Sequence, residues 1–532
     1  MIKNFVKRLM GKGSETPKTQ FGQEKRIPFK DHRIDPSLID ERAHDVVRTL
    51  QERGFIAYVV GGAVRDLLLG LRPKDFDVAT NATPEQVKAC FRRAFIIGRR
   101  FRIVHVVYGR GREHEVIEVS TFRAFLESAD AKQFTGNEKT SRHALAQVSH
   151  AVDASGRVLR DNVWGPIEED ATRRDFTVNA MYYDPQTQEV VDFHKGIQDA
   201  KKHVIRMIGD PAVRYREDPI RIIRAIRFAA KLAPLGFKLE AKTASPLKKM
   251  AQLLQDVPPS RMFDEMLKLL QTGHALASIE QLKFHGLATG VYPLLDLIVS
   301  RAQDPLVHQA LLDTDRRVQE MKPVVPSFLL ACVLWSDVRD AWSARMNQRQ
   351  PLFPALQDAI DEVFDSRIGE VSGRGKLGAD MREIWSMQPR FEKRLGHSPL
   401  GLLEQPRFRA AFDFMRLRAM SHEVDPALGE WWESFSLADQ SERERMLEVV
   451  RLEHQSAQAS SGKGPRRVRA TPASNPKETR PAAESSPSIP SESSPTSSHA
   501  SEGTQSGEGE GAPARRRRRR RSPRSDSPPA SQ

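Results

Sequence analysis

The sequence predicts an α+β head carrying a mixed sheet with helices, then an all-helical neck and body, then a tail that stays disordered. Three observations carry this. Strand-like runs at 55–60, 95–97, 103–108 and 115–121 alternate with helical segments. From Asp218 onward the apolar spacing is almost wholly helical. Beyond about residue 455 the chain turns to Ser, Pro, Gly, Glu, Ala and Arg, too polar to offset the entropy of ordering. The expected divisions are 1–30, a flexible basic arm; 31–188, the head; 189–275, the neck; 276–454, the body; and 455–532, the tail.

Each element has its own signal. Between Pro36 and Arg53 the residues Leu38, Ile39, Ala43, Val46, Val47 and Leu50 fall at helical spacing, and Gly54 ends the helix. The apolar run Phe55–Val60 then enters Gly61-Gly62, which opens a short helix. Asp75-Phe76-Asp77 follows on a second strand. Thr83-Pro84-Glu85-Gln86 is a helix start, with Thr83 as N-cap, Pro84 at the first position and Gln86 completing a capping box. Residues 124–161 are polar and without clear period, which predicts a long loop near the site. The later helices are expected at 219–232, 260–271, 275–285, 328–335 and 408–420.

Composition narrows the function. The net charge of +14 points to a polyanionic partner. Cys90 and Cys332 are the only cysteines, which supports neither a disulfide framework nor a zinc site and suits a reducing, cytoplasmic setting. No apolar run reaches the roughly 20 residues of a membrane span. The basic first twelve residues lack an apolar signal region and permit at most weak attachment to an anionic membrane surface.

The chemistry concentrates in one stretch. In a strand, residues i and i+2 share a face roughly 6.5–7 Å apart, so Asp75 and Asp77 project together while Phe76 and Val78 turn to the core. Two convergent carboxylates beside a glycine turn suit a divalent-metal nucleotide site. A Gly-Gly pair alone is ordinarily a turn, and the Gly-Lys-Ser/Thr ending of a P-loop is absent. The combination of strand, Gly61-Gly62, Arg65-Asp66, the basic turn Arg72-Pro73-Lys74 and Asp75-Phe76-Asp77 is far more specific. It resembles the head of polymerase-β-like nucleotidyltransferases, in the group that holds bacterial poly(A) polymerases and bacterial-type CCA-adding enzymes.

That resemblance implies roles. Asp75 and Asp77 would hold two Mg²⁺ ions, with Mn²⁺ as a substitute, for transfer from ATP to an RNA 3′-hydroxyl. Gly61 and Gly62 let the backbone approach the triphosphate. Arg65 reaches a phosphate or forms an ion pair with Asp66. Glu118, in Glu118-Val119-Ser120-Thr121-Phe122-Arg123, matches the family's Glu-Val-x-Thr-Phe-Arg run and is the expected third metal carboxylate; a solvent-facing Glu is the plain alternative. Arg173-Arg174-Asp175-Phe176-Thr177-Val178-Asn179 matches a second family segment, which implies that Arg174 and Asp175 contact the nucleotide or join the catalytic set. Asp175 competes with Glu118 as third carboxylate, and lies one helical turn from Asn179. Glu217-Asp218-Pro219-Ile220-Arg221 matches the motif that reads the incoming base by its Watson–Crick edge. By local rules Asp218 would cap a helix begun by Pro219 and pair with Arg221.

The stretch Ile96-Ile97-Gly98-Arg99-Arg100-Phe101-Arg102-Ile103-Val104-His105 is similar to an element of the poly(A) polymerases, so template-independent AMP addition to RNA is expected. CCA addition to tRNA is the alternative within the group, and an RNA-binding adaptor with an inactive head the alternative outside it. Arg99 and Arg100 would hold RNA or phosphates, or cap a strand. The tail ends in Arg515, Arg516, Arg517, Arg518, Arg519, Arg520 and Arg521, a block suited to nonspecific RNA binding. The implied partners are ATP, the 3′ ends of mRNA and other transcripts, and RNA-decay machinery.

Overall fold

The computed structural model describes residues 21–98, 102–109, 114–125, 132–134, 150–153, 158–161, 163–368 and 375–461. They belong to one unit, Met1–Gly462. Arg99, Arg100, Arg515–Arg521 and the tail beyond residue 461 lie outside the described residues.

The strands, in chain order, begin with β1 (Lys25–Ile27), β2 (Ala57–Val60), β3 (Asp77–Thr80), β4 (Ala94–Ile97), β5 (Ile103–Tyr108) and β6 (Glu115–Thr121). Then come β7 (Lys132–Phe134), β8 (His150–Asp153), β9 (Val158–Asp161), β10 (Met181–Asp184) and β11 (Glu189–Asp192), and the short β12 (Val204–Ile205) and β13 (Lys238–Leu239). Among the described residues eight strands form one mixed sheet in the order β1-β11-β10-β2-β3-β6-β5-β4. Only the β3–β6 pair in it is parallel, with Asp77 opposite Glu118 and Val78 opposite Val119.

Alternation decides the two faces. Val59, Val78, Val104, Ile117 and Val119 pack against helices Glu41–Glu52, Gly62–Leu68 and Pro84–Cys90 through Val46, Leu50, Val64 and Val87. The other face has a smaller core of Tyr58, Val60, Ala79, Phe122, Ala171 and Tyr182. Asp77 and Glu118 lie on this less covered face, because each neighbours an inward-facing valine. Phe76 and Val78 are buried as the pattern requires.

A continuous apolar core runs from Phe176 through Ile223, Met266, Leu295 and Trp335 to Leu417, so neck and body helices share one interior. A further core around Phe391, Phe412 and Trp432 follows. The Thr83–Gln86 capping box forms in both directions. The expected helix Phe408–Met420 is found with those bounds, and the segment at 328–335 is part of a longer helix, Pro326–Asn347.

Several expectations are corrected. Residues 25–27 leave the expected arm and pair with β11 as an edge strand. The helix expected from Pro36 starts only at Glu41, because Pro36–Leu38 is a separate 3₁₀ turn and Asp40 caps the helix through Arg42 N. The polar stretch 124–161 is not all loop: β7, β8 and β9 form a three-stranded sheet. Polar side chains gave no alternating signal there, but backbone pairing needs none. Helix Gln440–Ser461 passes the expected tail boundary at 455. Among the described residues no helix is long and apolar enough to cross a membrane.

Candidate active site

The end of β2 sets the position of the cleft. Gly61 has φ 80° and ψ −136°, a conformation that disfavours a side chain, and it turns the chain into helix Gly62–Leu68. A Cβ on Gly61 would lie 3.9 Å from Nη1 of Arg174, so this turn stands directly beneath that guanidinium.

Gly61, Gly62, Arg65, Asp75, Asp77, Arg174, Asp175, Asp218 and Arg221 all line one cleft of about 670 Å³. Cations outnumber carboxylates along its wall. Asp77 opens β3, but Asp75 lies in the bend before it, which corrects the expectation that both sit on a strand. The bend still brings both carboxylates to the cleft. Neither has an ion-pair or hydrogen-bond partner among the described residues. The outer edge of Asp77 is open to the cleft, yet burial pushes its carboxyl up to about 6. Glu118 and Asp75 add to that rise and Arg174 opposes it.

A pair of mutually repelling, unpartnered carboxylates fits a divalent cation. Among the described residues no three His, Cys, Asp or Glu side chains converge to hold a metal by themselves. Two carboxylates with the remaining positions left to water and substrate phosphate are the donor set Mg²⁺ accepts. Glu118 shares the face of Asp77, but its carboxylate meets His105 Nε2 at 3.2 Å and is not part of the cleft lining.

The remaining motif residues are held by long-range partners. Arg65 is only 2% exposed and donates to Asp66 Oδ1 and to Asn179 Oδ1. Its ion pair with Asp66 is therefore buried on the guanidinium side. Arg174 donates to Asp170 Oδ2 at 2.9 Å and lies over the Tyr182 ring. Asp175 is not one helical turn from Asn179, because the helix Ile167–Arg173 ends before it and Thr177–Asn179 is a short 3₁₀ turn. Its carboxylate accepts from Phe176 N and from Arg224 Nε, both at 2.8 Å. Burial alone would raise the Asp175 carboxyl, but the Arg224 charge outweighs it and holds the group down at about 2.

Asp218 does not cap the helix Ile220–Leu232 through its side chain. It closes a preceding helix, Pro211–Glu217, that sequence reasoning did not separate, and its carboxylate meets Arg261 Nη1 at 3.0 Å. Arg221 pairs with Glu217 at 3.0 Å rather than with Asp218. Glu217 also receives Arg214, whose other nitrogen donates to the carbonyls of Arg173 and Arg174.

The sequence reading missed helix Pro259–Leu270 as a cleft wall. Arg261, Asp264, Glu265 and Lys268 all line the cleft from it. The signal was present, because these four fall at i, i+3, i+4 and i+7. Arg227 and Glu265 join this helix to Ile220–Leu232 at 2.8 Å.

An α+β head that presents two unpartnered carboxylates, one at the start of β3 and one in the bend before it, to an arginine-lined nucleotide-sized cleft defines a nucleotidyltransferase. Three family models match: the poly A polymerase head domain over residues 57–206, the probable RNA and SrmB-binding site of polymerase A over 236–298, and the polymerase A arginine-rich C-terminus over 348–472. Poly(A) polymerase I of Salmonella typhi is 39% identical over 429 residues, 79% of this chain and 88% of its own length. The Haemophilus influenzae poly(A) polymerase I is also 39% identical, over 79% and 90%. A CCA-adding enzyme of Lactobacillus helveticus is 36% identical over only 43% of this chain and 49% of its own. The chain belongs to the poly(A) polymerase I family, and its activity is that of a polynucleotide adenylyltransferase.

Proposed function

We propose that the cleft adds AMP from ATP, one residue after another and without a template, to RNA 3′ ends, with two divalent ions held by Asp75 and Asp77. The observation that carries this reading is the pair of partnerless carboxylates facing an arginine-rich wall. Bound Mg²⁺ or Mn²⁺ would supply charge that lowers the pKa of the 3′-hydroxyl and neutralises the leaving pyrophosphate. Glu118 adds negative charge beside Asp77 without closing the set. Gly61 and Gly62 admit the triphosphate close to the backbone, and Arg174 stands above them. Asp175 is a positioning residue, tied to Arg224.

Base selection falls to Asp218 and Arg221, which line the cleft, while Glu217 stands outside its lining and holds Arg221 in place. All three are held by partners before any nucleotide arrives, so their donors and acceptors are preorganised. A preset pattern rejects the wrong Watson–Crick edge because its polar groups stay unpaired. Arg99, Arg100 and the block Arg515–Arg521 are assigned to RNA on charge alone. The cytoplasm supplies RNA and ATP, and two isolated cysteines suit its reducing state.

One assay tests this. The purified chain is given generic RNA or tRNA lacking its CCA end, with ATP alone or with CTP and ATP. Long A tails on generic RNA are expected. A three-nucleotide stop on tRNA that requires CTP would overturn the proposal.

A further inference from the structure

Phe228, on helix Ile220–Leu232, is an aromatic ring in a cleft otherwise walled by charge. It is half-buried and rests on the apolar core of the neck. Three guanidiniums gather round it. Their central carbons lie 4.8 Å (Arg227), 5.7 Å (Arg224) and 6.0 Å (Arg65) from the ring centre, and all three line the cleft. Arg224 and Arg227 share the helix of Phe228, whereas Arg65 comes from helix Gly62–Leu68 of the head, which opens at the glycine turn. Phe176, also of the head, meets the ring edge-on at 5.5 Å between centres. One neck side chain therefore touches the head at two places.

Each guanidinium has a carboxylate partner: Asp66 for Arg65, Asp175 for Arg224 and Glu265 for Arg227. Like charges converging on one point still repel. The effect shows at Arg227, where burial and then the Arg224 charge lower the pKa against the pull of Glu265. An aliphatic side chain at 228 would fill the space and do nothing for these charges. An aromatic ring turns a negative face to them and attracts each one.

We propose that Phe228 is a positioning residue, whose ring gathers Arg65, Arg224 and Arg227 into one wall that receives the phosphates of ATP that leave as pyrophosphate. The wall is assembled before the anion arrives, so little reorganisation is needed on binding. Arg221 lies seven residues before Phe228 and so on the same helix face. The ring, wedged against Arg65 and Phe176, thereby sets the spacing between the base reader on the neck and the Gly61-Gly62 turn on the head. The proposal rests on the adenylyl transfer proposed above and names what holds its phosphate wall together.

The test measures, on the full chain with Mg²⁺ present, the affinities for inorganic pyrophosphate and for ATP. Phe228→Leu should weaken both by the same factor, about tenfold. Phe228→Tyr keeps the ring and should bind both as the unaltered chain does. Fluorinating the Phe228 ring keeps its shape but removes its negative face, and should weaken pyrophosphate binding in the same direction as Phe228→Leu. That fluorinated chain decides the matter if Phe228→Leu does not fold. Unchanged pyrophosphate affinity on fluorination would overturn the proposal. A loss confined to ATP would also overturn it, because the ring would then be stacking on the base. Failure of the unaltered chain to add A residues to generic RNA would defeat the proposed function instead, and the pyrophosphate comparison would still decide the role of Phe228.

Discussion

Asp218 and Arg261, forty-three positions apart, meet as a two-pronged ion pair, with Nη1 to Oδ1 at 3.0 Å and Nη2 to Oδ2 at 3.1 Å. Arg261 comes from a different helix, so the base-reading motif is completed by a residue outside it. Replacing Arg261 with Ala should free the Asp218 carboxylate to change rotamer. The expected outcome is a rise of about tenfold in KM for ATP and weaker discrimination against CTP. Steady-state kinetics with each nucleotide checks this, and unchanged selectivity would remove Arg261 from the reading.

Asp75→Asn and Asp77→Asn should each lower AMP transfer by about a thousandfold or more, as removal of a metal carboxylate forfeits several kcal/mol of transition-state stabilisation. RNA affinity should stay close to that of the unaltered chain. Glu118→Gln should cost much less, because its carboxylate faces His105 and stands outside the cleft lining. Equal losses for Glu118 and Asp77 would make Glu118 a third ligand. Primer extension and RNA binding measured side by side separate these cases.

Asp175 gives the stability a defined pH dependence. Burial opposes its ionisation, but Arg224 holds its carboxyl at about 2, below the unfolded value near 3.9. The folded state therefore binds fewer protons than the unfolded state between about pH 4 and 2. The pair contributes roughly 2 kcal/mol that is fully present above pH 4 and lost as pH falls through 2. Urea unfolding of the chain and of Arg224→Gln should show a gap that is wide near pH 7 and narrows towards pH 2. A gap constant with pH would assign the stability to packing alone.

Thr83→Ala should destabilise the head by about 1 kcal/mol, because it removes the acceptor for Gln86 N and breaks the reciprocal box. Thr83→Ser keeps the hydroxyl and should cost clearly less. Denaturant midpoints measured at constant slope decide it.

Deleting the segment that carries Arg515–Arg521 should lower RNA affinity and flatten the dependence of log affinity on log salt. The slope should fall by up to about 0.7 for each RNA phosphate that these arginines neutralise. Binding curves over a salt series read both effects. Unchanged slopes would mean the arginines do not touch RNA.

Much of the head was legible because its signals are local. The capping box needs only Thr83 and Gln86, three residues apart, and the alternation of Ile103–Tyr108 and Glu115–Thr121 reproduced both strands with their bounds. The polar run at 150–161 hid two strands because their pairing rests on backbone groups that composition does not display. Local rules also assigned Asp218 to Arg221, three residues on across the first helical turn, whereas the folded chain offers Arg261 to Asp218 and Glu217 to Arg221.

The sequence alone determined the order of head, neck and body, the Gly61-Gly62 turn and the two aspartates that follow it, since each depends on residues within a turn or two of chain. Only the tertiary structure decided how the charges pair. Asp175 meets Arg224, Arg227 meets Glu265 and Asp77 lies in register with Glu118. Those pairings depend on which helix and strand faces the packing of distant apolar residues brings together. A buried charge then takes whichever opposite charge that packing delivers, and no spacing along the chain specifies the partner.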